Sequence, residues 1–229
     1  VQDLTAFCLE AMRRAGLNDE DAQQTAEVLV STDTLGTFTH GTRQLRGLLK
    51  NLRNGRLSAA AHEEIAAEGP AWAMVDAHYA MPPAVSYRSM LLAMRKAQAC
   101  GIGYVGVKHS SHYGAAGFYA NLAARHDMFG LSMCNVDPCM TVPGSKGRVL
   151  GTNPIAYAAP AGEEKPVYLD IATSAVAATK IYAAKSLGQS IPDDWLVDED
   201  GLPTSDYSQF PEKAVQLPMA GHKGYGLAV

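Results

Sequence analysis

Leu4, Phe7, Cys8, Ala11, Met12 and Ala15 recur at intervals of three and four residues, marking one face of a helix that Gly16 stops. Asn18 ahead of Asp19, Glu20 and Asp21 is an N-cap with an acidic first turn, and it starts a second helix running to Asp33. Gly36 breaks that pattern. Residues 37–41 (TFTHG) form a turn, and Leu45, Leu48, Leu49 and Leu52 make the apolar face of a third helix closed by Gly55. From Ile65 the texture changes: AWAMVDA (71–77) predicts a strand, Pro82-Pro83 opens a long helix ended by Gly101, and YVGVK (104–108) predicts a buried strand. A helix over 114–127 and a strand over 129–135 extend this into a β-α-β unit with parallel pairing. PIAYAA (154–159) is a further apolar stretch, PVYLDIATS (166–174) is a strand leading into a helix over 175–187, and the chain beyond Gly188 is rich in turns. The pattern predicts an α/β protein, with a helical N-terminal region over 1–62 followed by an α/β domain over 63–229.

Composition narrows the function. With 47% hydrophobic and 18% charged residues the 229-residue chain is of globular type, and a net charge of −4 without any Lys/Arg run gives no footing for nucleic acid or an anionic membrane. No apolar run reaches the length of a membrane span, and the first helix is acidic and amphipathic, unlike a signal peptide. Cys8, Cys100, Cys134 and Cys139 are dispersed without a CxxC pair, so neither a disulfide framework nor a zinc ribbon is expected, and a reducing cytoplasm fits best. The last residues, GYGLAV, form an apolar run, from which the chain is expected to continue beyond Val229. Small-molecule chemistry is the default expectation.

The stretch YVGVKHSSHYGAAGF (104–118) carries the strongest chemical signal. His112 falls at a strand end just before a helix, where open α/β sheets bind ligands, and Gly114, Ala115, Ala116 and Gly117 let a ligand approach the backbone. Proton transfer by His112 is the preferred reading; His109 and His112 at i, i+3 as metal ligands of a hydrolase is the other. His40 is either a second acid/base group or an exposed residue beside a capping Thr39. Asp170, in an otherwise apolar strand, is either a helix cap or an orienting partner for a histidine or cofactor amide; Thr173 and Ser174 are the commoner caps. GIGYVG (101–106) matches GxGxxG, but it leaves a helix and enters a strand, so the dinucleotide reading is rejected. Asn135, Thr152, Asn153 and Lys223 suit amide, ribose or phosphate contacts, while Cys134 and Cys139 read as packing residues.

Taken in order, FTHG (38–41), SSHYGAAGFYA (110–120), GTNPIA (151–156), LDIATS (169–174), IPDDWLVDEDGLPTSD (191–206) and GHKGYGLA (221–228) closely resemble the malate/L-lactate dehydrogenase family that lacks a Rossmann fold. Its members include ureidoglycolate, sulfolactate and type-2 malate dehydrogenases and the diketogulonate and piperideine-carboxylate reductases. The resemblance implies a mixed-sheet, L-sulfolactate dehydrogenase-like fold and a homodimer that exchanges a hydride between NAD or NADP and a 2-oxo or 2-hydroxy acid or a cyclic imino acid. It places acid/base roles on His112 and His40, and cofactor contacts on Asn135, Asp170, Ile171, Ala172, Thr173, Ser174 and Lys223. Two departures stand out: Thr39 replaces the family's usual serine and keeps its hydroxyl, and Gln44 replaces the usual arginine. Since glutamine cannot grip a carboxylate bidentately, Arg43 or Arg46 is expected to take that task, with Thr39 beside the substrate. A relative that binds cofactor without turnover is the reading that Gln44 keeps open.

Overall fold

The three N-terminal helices form where the apolar spacing puts them. In the computed structural model, which describes all 229 residues, they are α1 (Gln2–Arg14), α2 (Asp19–Thr34) and α3 (Leu45–Arg53). The Asn18 side chain accepts the Asp21 N–H at 2.8 Å, as an N-cap should. The chain continues through β1 (Glu64–Gly69), β2 (Trp72–Asp76), α4 (Pro82–Cys100), β3 (Tyr104–Lys108), α5 (Ala116–Ala124), β4 (Gly130–Met133), β5 (Ile155–Ala161), β6 (Glu164–Ile171) and α6 (Ala178–Leu187). Three two-residue strands, β7 (Leu196–Val197), β8 (Pro203–Thr204) and β9 (Val215–Gln216), precede α7 (His222–Ala228). Prolines open α4, and Gly101, at φ 83°, ends it in the left-handed conformation that glycine adopts without strain. The GxGxxG run is therefore a helix stop and a strand entry.

The strands make three small sheets in the orders β1-β2-β3, β4-β5-β6 and β8-β7-β9. β1 and β2 pair antiparallel, and β2 and β3 pair parallel from Trp72↔Tyr104 to Asp76↔Lys108, with α4 as the crossover. The expected β-α-β unit over 104–135 is thus displaced by one step: the parallel unit is β2-α4-β3, and β4 belongs to another sheet. Local periodicity reports which faces of a strand are buried and is silent about which edge it pairs with. β1 escaped the sequence pattern because almost every one of its residues is exposed, which leaves no apolar alternation to read.

The expected boundary near residue 62 also differs from the units into which contacts divide the chain. One unit comprises Val1–Gly130 with Tyr157–Tyr168, the other Leu131–Ala156 with Leu169–Val229. The N-terminal helices do not close a core alone. Cys8, Met12, Leu29 and Leu48 cluster with Met81 and Ala84 at the start of α4, and Val28 of α2 packs on Phe118 and Tyr119 of α5. Helix α5 is apolar on all sides and almost wholly buried, as a central helix must be. Its Tyr119 hydroxyl donates to the Tyr113 carbonyl at 2.5 Å while the two rings stack at 5.0 Å, and full burial pushes the phenol far above its ordinary pKa. In the second unit Val176, Ile181, Ile191, Leu196 and Phe210 form a separate core around α6 and the small β7 sheet.

Two polar networks lock the first unit. The Arg88 guanidinium of α4 donates to Asp21 at 2.7 Å, to Gln24 at 2.6 Å and to both oxygens of Glu63, joining α2, the approach to β1 and α4. Burial raises the Glu63 pKa, but the Arg88 hydrogen bond, a backbone hydrogen bond and the Arg88 charge together outweigh it and hold the carboxyl below the ordinary value. At the ends of β2 and β3, Asp76 accepts the His78 N–H at 3.0 Å and lies 2.9 Å from His109 Nδ1 and 3.3 Å from Lys108 Nζ. His78, Tyr79 and His109 all adopt positive φ around it, so the carboxylate holds both strand exits in strained backbone. The His78 N–H bond, helped by His109 and Lys108, overcomes desolvation and lowers the Asp76 pKa to about 2.

Arg88→Leu is expected to lower the urea-unfolding free energy by about 2–4 kcal/mol, because Asp21, 4% exposed, is left without its cation. The depressed Asp76 pKa contributes stability that is complete above the ordinary carboxylate pKa of about 4 and is lost as pH falls through about 2. In a pH series of denaturant midpoints, Asp76→Asn is expected to flatten the curve across that acid interval.

Candidate active site

The turn that carries His40 is built from the end of α2. Gly36 reverses the chain at φ 80°, and the His40 N–H closes on the Thr37 carbonyl at 3.0 Å. Asp33, in the last turn of α2, accepts the Thr42 N–H at 3.2 Å and its hydroxyl at 2.5 Å, and a Cβ at Gly41 would collide with that carboxylate. Thr39 does not cap a helix. Its Oγ1 lies 2.8 Å from His40 Nδ1, and its carbonyl accepts the Gln44 side-chain amide at 2.6 Å. Gln44, read from the sequence as a missing carboxylate grip, braces the backbone of this turn.

The second turn leaves β3. His109, at φ 51°, bends the chain away while its ring is held by Asp76, and the segment then runs through Ser110 and Ser111 to His112. Gly114, at φ 96°, donates its N–H to His112 Nδ1 at 3.3 Å. A Cβ there would sit 3.1 Å from Val28 Cγ1 and 3.7 Å from the His40 carbonyl, so the missing side chain lets this turn lie against the first. The His40 and His112 rings consequently stack, with centroids 5.5 Å apart and planes 25° from parallel. His112 is exposed as a residue, yet the atoms packed about it desolvate its ring. With the His40 charge adding to the effect and its own backbone carbonyl opposing it, its pKa falls to about 4.

The structure therefore brings His40, His112 and Thr39 together and sends His109 elsewhere, to Asp76. Arg43 and Arg46 line a cavity of about 560 Å³ with Phe7, Leu49, Lys50 and Arg53, an apolar floor ringed by four cations. Sequence reasoning missed Asp76, although an acid closing an apolar run is the same signal that singled out Asp170. It also missed Asp33, which nothing but the fold connects to Thr42.

In the second unit three of the quoted motifs, at 151–156, 169–174 and 221–228, assemble. Asn153 accepts the Val136 N–H at 2.9 Å, next to Asn135, and donates to the Ala228 carbonyl at 2.6 Å. Asp170 and Ile171 end β6, half-buried, with Ala172 following. The expected capping roles do not hold: α6 starts at Ala178 with Ala177 as an N-cap that makes no side-chain bond. Thr173 Oγ1 bonds the Thr152 carbonyl at 2.9 Å, and Ser174 Oγ bonds that of Val176 at 2.8 Å. Gly224 packs so closely on Met219 and the Thr173 carbonyl that no side chain would fit, which seats α7 and exposed Lys223 on the 173–174 segment.

This donor set fits a nicotinamide dinucleotide. Gln216, 1% exposed, donates to Ser174 and Val176, leaving its Oε1 a buried acceptor without a protein donor, as a ligand amide or hydroxyl would require. The α6 N-terminus has no acid in its first turn and Lys223 is a cation, both suited to a pyrophosphate, while Asp170 can accept from hydroxyl or carboxamide groups.

Comparison with known proteins places this arrangement. The family model for malate/L-lactate dehydrogenase matches residues 1–229. Malate dehydrogenase of Pyrococcus horikoshii is 36% identical over 233 residues, covering 99% of this chain and 64% of that protein. Ureidoglycolate dehydrogenase (NAD(+)) of Escherichia coli is 36% identical over 214 residues, covering 93% of this chain and 60% of that protein. Sulfolactate dehydrogenase from Methanocaldococcus jannaschii has a solved structure that matches with a TM-score of 0.92 at 35% identity, over 99% of this chain and 65% of that one. The chain spans 64% of the Pyrococcus enzyme and 60% of the Escherichia one. Matched along its whole length in sequence and in fold, the chain belongs to the malate/L-lactate dehydrogenase family.

Proposed function

We propose that this protein is an oxidoreductase that exchanges a hydride between NAD or NADP and a small 2-oxo or 2-hydroxy acid. The observation that carries the reading is the stacked pair His40 and His112, assembled from two separate turns by a glycine contact. Reduction of a carbonyl leaves an alkoxide that must gain a proton, and oxidation of the alcohol must remove one, which is work for a positioned imidazole. A bound nicotinamide supplies or accepts the hydride. Asn135, Asp170, Ile171, Ala172, Thr173, Ser174 and Lys223 hold it, with Asp170 also orienting the reacting end. Thr39 sets the His40 ring, and Arg43 and Arg46 attract the substrate carboxylate.

The relatives are a malate dehydrogenase and a ureidoglycolate dehydrogenase, and both activities fall in this class. Work as a cytoplasmic homodimer belongs to the same proposal. It is supported by four cysteines that all remain free thiols and by Ile102, Trp72 and Tyr104, which expose 68%, 44% and 63% of their surface on and beside the first sheet. The metal-dependent hydrolase alternative is disfavoured, because His109 and His112 belong to no group of three or more His, Cys, Asp and Glu side chains placed to hold a metal.

Full-length protein assayed by loss of reduced-nicotinamide absorbance, against 2-oxo acids, cyclic imino acids and oxalurate, is expected to turn over at least one compound. His40→Ala and His112→Ala should each lower kcat by about 10²- to 10⁴-fold. Arg43→Ala and Arg46→Ala should raise KM with little change in kcat. Cofactor binding without turnover on any compound would replace this reading with that of a binding relative.

A further inference from the structure

We propose that Asp76 is a positioning residue for His112: by tethering His109 it fixes the near end of the short loop that brings the His112 ring to His40. The proposal rests on the oxidoreductase reading above, which gives His112 its task. Residues 110–112 hang between two anchors. At the far end the Tyr119 hydroxyl holds the Tyr113 carbonyl at 2.5 Å, and Gly114 lies against Val28. At the near end the bonds converge on one carboxylate.

Asp76 closes β2 with its side chain only 11% exposed. Its two oxygens lie 3.0 and 2.9 Å from His109 Nδ1. An ionised carboxylate accepts and cannot donate, so Nδ1 carries a proton, and the bond persists whether the ring is neutral or charged. The same carboxylate accepts the His78 N–H at 3.0 Å, at the start of the left-handed pair His78 and Tyr79, with φ 46° and 58°. That turn aims the Tyr79 N–H at the His109 carbonyl, 2.9 Å away. His109 is thus held by its ring and by its backbone, through two routes that both begin at Asp76.

His109 needs the hold because it stands at φ 51°, where the Cβ of any residue but glycine is crowded. Here the chain stops following β2 and turns away. If His109 left this conformation, the peptides after it would swing, and three residues pinned at both ends have no slack to absorb the change. A shift of about 1 Å in a reacting group is enough to cost about 10²-fold in rate. The His109 ring is half-exposed, so as an ion pair it contributes little, and its worth lies in direction. Lys108 Nζ, 3.3 Å from Asp76, adds charge from within β3, ahead of the bend.

Variants at position 109 isolate the tether. His109→Gly takes the left-handed backbone freely but has no ring for Asp76 to hold, whereas His109→Asn tolerates that backbone and keeps an N–H donor near the place of Nδ1. In the full-length enzyme His109→Gly is expected to lower kcat by about 10- to 100-fold with KM within about twofold, and His109→Asn to stay within about threefold of the unaltered protein. Asp76→Ala should match His109→Gly in kcat and exceed it in lost stability, since the strand-exit bonds go too. Arg88→Leu, which weakens the same unit through a separate network, is the control: its unfolding midpoint falls while kcat stays within about twofold. A His109→Gly or Asp76→Ala enzyme with full kcat overturns the proposal, as does an Arg88→Leu loss of kcat equal to that of His109→Gly.

A second readout needs no turnover. With ¹³C-labelled histidine in the full-length protein, cross-relaxation between the His40 and His112 rings is expected in the unaltered protein and in His109→Asn, and is expected to vanish in His109→Gly. An intact signal in His109→Gly overturns the tether whatever the kinetics. The expected signals with no turnover on the substrate panel would uphold the tether and overturn the oxidoreductase reading, so the two failures are distinguishable.

Discussion

The contact at Gly114 is the constraint on which the histidine pair of the first unit depends. Its backbone is left-handed at φ 96°, and a Cβ there would stand 3.1 Å from Val28 Cγ1, with the His40 carbonyl in ordinary contact at 3.7 Å. Any other residue there would meet both a backbone penalty and a steric one, each of the order of 1–3 kcal/mol. Val28 is in turn fixed by the α2–α5 packing, and Tyr119 of α5 holds the carbonyl of Tyr113, the residue between His112 and Gly114. The core of the first unit and the geometry of the histidine pair are therefore one packing problem.

Acidic groups in this unit are directed at structure. Asp33 secures the exit of the first turn, Asp76 the exits of two strands, and Asp21 and Glu63 the Arg88 fork. His109, only three residues from His112, shows the contrast: it has a carboxylate on Nδ1, whereas His112 has an amide N–H. Neighbours of the same residue type thus acquire opposite electrostatic surroundings from the atoms the fold sets against one ring nitrogen.

Much of this was legible in the sequence where the causes are local. Asn18, Pro82 and Gly101 announce helix ends because caps act within a turn of themselves, and the strand at 104–108 falls where its β-branched run lies. Pairing was not legible, since β4 carries no mark saying that its partner is not β3. His40 and His112 could be found from their turns and from the family resemblance. That their rings stack could not, because 72 positions separate them and a glycine mediates the contact. Gln44 was read as the loss of an arginine, whereas its bond to the Thr39 carbonyl is a relation between a side chain and a backbone atom that a residue alphabet does not encode. Thr173 and Ser174 misled for a related reason: both hydroxyls found nearer carbonyls before α6 began.

The chain enters its second unit at Leu131, returns to the first for Tyr157–Tyr168, and leaves again at Leu169. Each unit is thus written in the gene as interrupted text. A recombination event with a single breakpoint cannot exchange one unit for a foreign counterpart without also severing the other. Descent of this architecture is therefore expected to proceed by substitution within an intact pair, with the two interleaved units inherited together.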